Sequence, residues 1–217
     1  MTSRERVIAA SRGGAVDLQP TLTWLGGNGS SDASVVPTSE IVVRLDENQV
    51  VLAEVPNPFG LALGKGIDLN RALKDDPSVG SVVLDGLVEE VRTQIRESLE
   101  SGADGIFYRL HGASPAHCTP MQYGGHYLER DRELLSEASG ATCNVLFVAG
   151  KEELYIDFVS DLPATLFAWD YDLSKISADE VRQSRPGATA SSDPSSEFKL
   201  VIGQEKYLET LEQSNIG

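Results

Sequence analysis

Apolar positions along this chain follow two periods in alternation. Over residues 83–101, Leu84, Leu87, Val88, Val91, Ile95 and Leu99 form one stripe, while Glu89, Glu90, Arg92, Arg96 and Glu97 face away. That pattern predicts a helix lying on a sheet. Gly102 breaks it, and 106–110 follows as a short apolar strand. The alternation then continues with a helix over 123–139, a strand over 144–148, a helix over 152–160 and a strand over 164–168. A short segment runs from Ser174 towards Arg182, and a last strand and helix occupy 199–202 and 205–213.

Upstream, Thr2 and Glu5 stand at capping-box spacing for a helix reaching Ser11. Residues 20–25, 41–45 and 50–55 read as strands, the last two either as a hairpin or as separate members of a barrel. Residues 26–33 read as a small-residue loop, without the spacing of a phosphate-binding loop. The stretch 69–81 is expected to be irregular at its end, and 185–196, rich in Pro, Gly, Ala and Ser, to be a flexible loop. Short apolar strands alternating with helices imply a parallel sheet covered by helices in one domain spanning 1–217. About seven strands fit a doubly wound sheet and a βα barrel equally well.

Composition narrows the partners. With 18 basic and 33 acidic residues in 217, the net charge of −15 argues against nucleic acid or an anionic membrane. No apolar run approaches the roughly 20 residues that cross a bilayer. Cys118 and Cys143 make no disulfide framework, and no signal-like segment opens the sequence, so the expectation is a cytoplasmic protein with reduced thiols.

Candidate chemistry gathers at the ends of predicted strands, where α/β proteins place their sites. Arg109 and His111 end the strand that begins at Ile106, and their alternate spacing puts them on one side. Arg109 either grips a ligand carboxylate or pairs with a structural acid. Asn57, between two prolines, either donates to a ligand or fixes a turn. In Trp169-Asp170-Tyr171-Asp172, Asp170 is a candidate acid or base if desolvated, and Asp172 suits a helix start. His117, Cys118 and His126 match no standard zinc spacing and read as loop and core residues. No metal is expected.

The order of several segments resembles the uroporphyrinogen decarboxylase family. The opening Thr2-Ser3-Arg4-Glu5-Arg6-Val7 with Asp17 and Pro20, the VLAEVPNPFGLALGKG run over 51–66, the GADGIF run over 102–107 and the strand ending in Trp169-Asp170 are each similar to a family segment. The resemblance implies a TIM-type (β/α) barrel with its site at the C-terminal mouth. The chain stops near where an eighth strand carrying a histidine begins in the family. A shortened barrel is therefore expected, with its closure left open and any free edge covered by a homodimer.

Relatives divide between cofactor-free decarboxylation of porphyrinogen acetates and zinc-assisted methyl transfer from corrinoids. The main reading is a metal-independent decarboxylase-like enzyme acting on a tetrapyrrole or related polycarboxylate, without a cofactor. In it, Asp32, in an SDASVVP run like the decarboxylase's, is the central aspartate, and Arg109, His111 and Asn57 bind substrate. The alternatives are a corrinoid-dependent methyltransferase relative without the usual zinc site and a non-catalytic tetrapyrrole- or subunit-binding relative. Departures bear on both enzymes. The decarboxylase's arginine-rich segment is replaced by Trp24-Leu25-Gly26-Gly27-Asn28, and the tyrosine of its PF segment is absent from 60–66. The zinc-binding His-x-Cys-Gly is matched in place by Phe147-Val148-Ala149-Gly150, which holds neither ligand.

Overall fold

The computed structural model describes residues 1–27, 31–151 and 153–213. Eight parallel strands close into a barrel in strict chain order. They are β1 (Thr21–Trp24), β2 (Ala33–Pro37), β3 (Val50–Pro56), β4 (Gly105–Leu110), β5 (Val145–Val148), β6 (Leu166–Trp169), β7 (Ala188–Ser191) and β8 (Phe198–Ile202). The helices are α1 (Ser3–Ser11), α2 (Ile41–Arg44), α3 (Pro58–Gly64), α4 (Leu69–Asp75), α5 (Pro77–Glu100), α6 (Pro120–His126), α7 (Leu128–Glu137), α8 (Ile156–Val159), α9 (Tyr171–Ser174), α10 (Ala178–Ser184) and α11 (Gln204–Gln213).

The barrel is complete. Leu22 pairs with Leu200 and Trp24 with Ile202, so β8 returns to β1 and no sheet edge is left for a second copy to cover. Shortness is achieved between the strands instead. Among the described residues, no helix separates β1 from β2 or β7 from β8, whereas α3, α4 and α5 all fall between β3 and β4.

Alternation fixes what each strand residue does. Leu22, Trp24, Leu52, Phe107, Phe147 and Leu200 belong to one buried cluster filling the barrel. Their neighbours Ala53, Val55, Ile106, Tyr108, Leu146 and Val148 belong to the layer beneath the helices, where they meet Leu84, Val88, Val91 and Ile95 of α5. Two helices contribute to the inner cluster from outside the sheet. Val7 and Ala10 of α1 join it at the base, where Arg4 bonds Asp104 just ahead of β4 and Arg6 bonds Asp32 just ahead of β2. Tyr207 and Leu211 of α11 join it after β8. No described helix is long and apolar enough to cross a membrane.

Several elements differ from the sequence expectation. Residues 41–44 are helical, and the strand lies earlier, at 33–37. Val42 and Val43 point into solvent, so their β-branched character marks no sheet position. Residues 188–191, inside the expected flexible loop, form β7, with every residue buried. Its Ala, Thr and Ser side chains are small enough for a crowded barrel wall and carry little hydrophobic signal. The long helix starts at Pro77 rather than 83, because Asp76 caps it by accepting from the Ser78 and Val79 N–H groups and proline suits the first turn. The helix expected over 123–139 is divided near Tyr127, and that expected over 152–160 shrinks to 156–159, with Glu152 outside the described residues.

Two glycines test this packing in opposite directions. A Cβ on Gly105 would overlap the carbonyl of Cys143, backbone that cannot give way between β4 and β5. Gly105→Ala is expected to cost about 3 kcal/mol or more, as overpacking does. Gly86 lies on the exposed side of α5 with open space around it. Gly86→Ala is expected to stabilise by roughly 0.5–1 kcal/mol. Denaturant midpoints of the two variants against the parent check both signs.

Candidate functional site at the barrel mouth

The inward parity of β3 and β4 carries charge to the C-terminal end of the barrel. Glu54 follows Val50 and Leu52 on the inner side, and Arg109 and His111 follow Phe107. Glu54 accepts from the Trp24 indole N–H at 3.0 Å. Its other oxygen lies 3.1 Å from Arg109 Nε, an ion pair whose alignment falls short of a hydrogen bond. Arg109 Nη1 is in turn 3.3 Å from His111 Nε2. Beneath this chain, Trp24, Phe107 and Phe147 meet at ring separations of 4.8–5.2 Å. Tyr207 sits on that aromatic floor, 5.4 Å from Trp24, and its oxygen accepts the Gly150 N–H at 3.4 Å.

His111 is almost wholly buried, and burial first, then Arg109 and His117, hold its pKa well below the ordinary imidazole value. It is neutral at pH 7. Arg109 can only donate, so Nε2 accepts and the ring proton belongs on Nδ1. That Nδ1 is buried without a partner, as is Ser114 Oγ three residues on. Ser114 lines a cavity of about 510 Å³ with His117, Gly150, Lys151, Glu153 and Leu211. The His117 ring stands 6.2 Å from that of His111.

Asn57 follows β3 and is fully buried. Its Oδ1 accepts the N–H of Gly60 at 2.8 Å, capping α3, and that of His111 at 3.1 Å, while its Nδ2 donates to the His111 carbonyl at 3.0 Å. It therefore fixes a turn, and through the turn the backbone of His111. Behind it lies Asp131 of α7, with no exposure, accepting from Tyr108 at 2.7 Å, Tyr123 at 2.8 Å and Asn57 at 3.3 Å. Burial raises Asp131 to about 6 against the pull of these three donors.

Asp170 follows β6 and is buried at the same end of the barrel. It caps α9 by accepting the Leu173 N–H at 3.0 Å and takes a longer bond from Gln204 at 3.3 Å. Burial raises its pKa. Asp172, expected to serve that helix start, stands in its first turn and also accepts from Ser192.

Asp32 stands apart from the other four sequence-predicted residues. It precedes β2 rather than ending a strand, which puts it at the base of the barrel. There one carboxylate oxygen bonds Arg6 and the other accepts the Thr21 N–H at 2.9 Å. Cys118 is buried against Asn70, His117 lines the cavity and His126 is exposed, and among the described residues no three His, Cys, Asp or Glu side chains converge as metal ligands. Phe147 and Ala149, at the positions of the family's zinc ligands, are buried in the inner cluster and offer no donor, so zinc does not fit there.

Glu54 and Asp131 went unread in the sequence, although both leave a signal. Glu54 is an acid at an inward position of an otherwise apolar strand. Asp131 falls on the apolar stripe of its helix, four residues after Tyr127 and four before Leu135.

The sequence matches no family model and no curated protein. Among solved structures it is similar in fold to a methyltransferase from Methanosarcina mazei, with a TM-score of 0.71 and 11% identity over 99% of this chain and 98% of that one. The likeness is one of fold.

Two buried groups give the fold opposite responses to acid. The folded protein protonates Asp131 as pH falls through about 6, before an unfolded carboxylate does, which adds stability between about pH 6 and 4. His111 works against the fold, because the unfolded imidazole protonates first near its ordinary value. In Asp131→Asn the Asp131 gain disappears and the His111 loss stays. Its stability is expected to fall more steeply from pH 7 to 4.5 than the parent's, by roughly 1–3 kcal/mol. Parallel denaturation curves would remove Asp131 from this linkage.

Proposed function

We propose that the chain is a methyltransferase relative that works without zinc on a small metabolite held at the barrel mouth. The observation that carries this reading is the pair of unpartnered buried polar atoms, His111 Nδ1 and Ser114 Oγ, the second of which lines a cavity of metabolite size. Each such atom costs about 1–3 kcal/mol until something bonds it. A ligand offering an oxygen or nitrogen acceptor supplies that bond. The fold likeness to a methyltransferase inclines the choice of reaction the same way.

Methyl transfer asks the protein for alignment of donor and acceptor and for removal of the acceptor's proton. In this reading His111 donates to the ligand, Arg109 orients it, Asn57 holds His111, and Asp170, a buried carboxylate that lines a separate hollow with Gln204 at the same end of the barrel, receives the proton. Asp32, at the base, ties α1 to the start of β1. Decarboxylation of a polycarboxylate fits less well. It needs several free cations, whereas Arg109 is already matched by Glu54 and Lys151 shares the cavity with Glu153. Among the described residues, the Tyr207 ring covers Trp24 and Phe147, so the aromatic floor offers no open face to a tetrapyrrole or corrinoid macrocycle.

That same tyrosine favours a second reading, a non-catalytic barrel that binds a small ligand beside a closed mouth. Incubation with S-adenosylmethionine and a panel of small thiols and amines, read by mass spectrometry of the acceptor, separates the two. The expected result is a methylated acceptor whose formation falls roughly 100-fold in Asp170→Asn and strongly in Arg109→Ala. No methylated product from any combination overturns methyl transfer and leaves the binding reading.

A further inference from the structure

We infer that Asp131, outside the mouth and out of reach of any ligand there, is the positioning residue for His111 and acts through the Asn57 amide. A side-chain amide can sit either way round. Asn57 faces the Gly60 and His111 N–H groups with its oxygen, and the His111 carbonyl and Asp131 with its nitrogen. Both Asp131 oxygens lie 3.3 Å from Asn57 Nδ2, so the nitrogen end is held by an acceptor with no donor of its own when ionised. Reversing the amide would set oxygen against carboxylate on one side and donor against donor on the other. One orientation survives, and with it one position of the His111 backbone.

Tyr108 and Tyr123 hold the carboxylate in turn, one on each oxygen. Tyr108 is on β4 itself, two residues before Arg109 and facing the helices. The strand is thus gripped on its outer side by the same acid that, through Asn57, sets its inner side. A Cβ on Gly60 would lie 2.9 Å from His111 Cδ2, so the ring is also confined on the Asn57 side. The imidazole is presented in one place, with Nδ1 left open.

The inference rests on the mouth being the working site, but its readout is the ligand-free protein. Failure of methyl transfer leaves it standing, and its own failure leaves methyl transfer standing. The imidazole nitrogen signals of His111 are recorded by NMR in the parent, Asp131→Asn, Asp131→Glu and Tyr123→Phe. Tyr123→Phe removes one bond from the same carboxylate without touching Asn57. The expected result is a single Nδ1–H tautomer in the parent and in Tyr123→Phe. In the two Asp131 variants the signals shift or split, even in Asp131→Glu, where the charge is kept. Unmoved His111 signals in a cooperatively folded Asp131 variant overturn the inference, as does an equal shift in Tyr123→Phe, which marks general loosening. Should neither Asp131 variant fold, the parent decides. The Asn57 side-chain amide protons must then exchange with solvent as slowly as the β4 backbone, and rapid exchange overturns the inference.

Discussion

The hydrogen-bonded return of β8 to β1 is the constraint on which the rest of the molecule depends. Once the sheet is a ring, each strand has only an inside and an outside, and parity assigns every side chain to one of them. Small displacements cannot bring Glu54 or Arg109 out to solvent, because moving either by one residue would turn the whole strand inside out. The acid and the base are held face to face inside the barrel, and each meets the need the other creates. A lone charge in that place would be costly, whereas a matched pair with the Trp24 N–H as a third member is tolerable.

Neutrality of that pair shapes the chemistry of the mouth. Arg109 gives orientation more than net charge, and the neutral His111 beside it gives a directed donor. The remaining ionisable group facing α11, Asp170, is an acid in a place that disfavours anions.

Much of the architecture was legible because the long amphipathic helix and the apolar strands after it have unmistakable periods. β4, with Arg109 and His111 at its end, is where the pattern puts it, and so are β3 and β5. What the pattern missed has physical reasons. β7 is built of Ala, Thr, Ala and Ser, whose small size is the requirement and whose hydrophobicity is weak. β2 follows a run rich in glycine and serine in the sequence and is itself short, while the more apolar run at 41–44 is a helix with Val42 and Val43 in solvent. Asp32 carries a family-like neighbourhood of residues, yet the motif says nothing about which end of the strand it occupies, and the register of β2 against β1 places it at the base. Of the residues at this end of the barrel, Arg109, His111 and Asp170 were readable from their positions at strand ends and Asn57 from its place between two prolines. Glu54 and Asp131 needed the three-dimensional partners that make a charge tolerable inside.

The same ring has a consequence for how the chain reaches its final form. Seven of the eight strand pairs join neighbours in sequence, and each can zip up once both strands are present. The eighth joins residues 21–24 to 199–202, a separation close to the whole described length. Until that pair forms, β1 offers a row of unsatisfied amides and carbonyls, and the aromatic floor lacks the tyrosine that sits on it. Contacts so distant in sequence are slow to meet. During synthesis β1 leaves the ribosome long before β8 exists, so the edge that β8 covers has no partner through that interval.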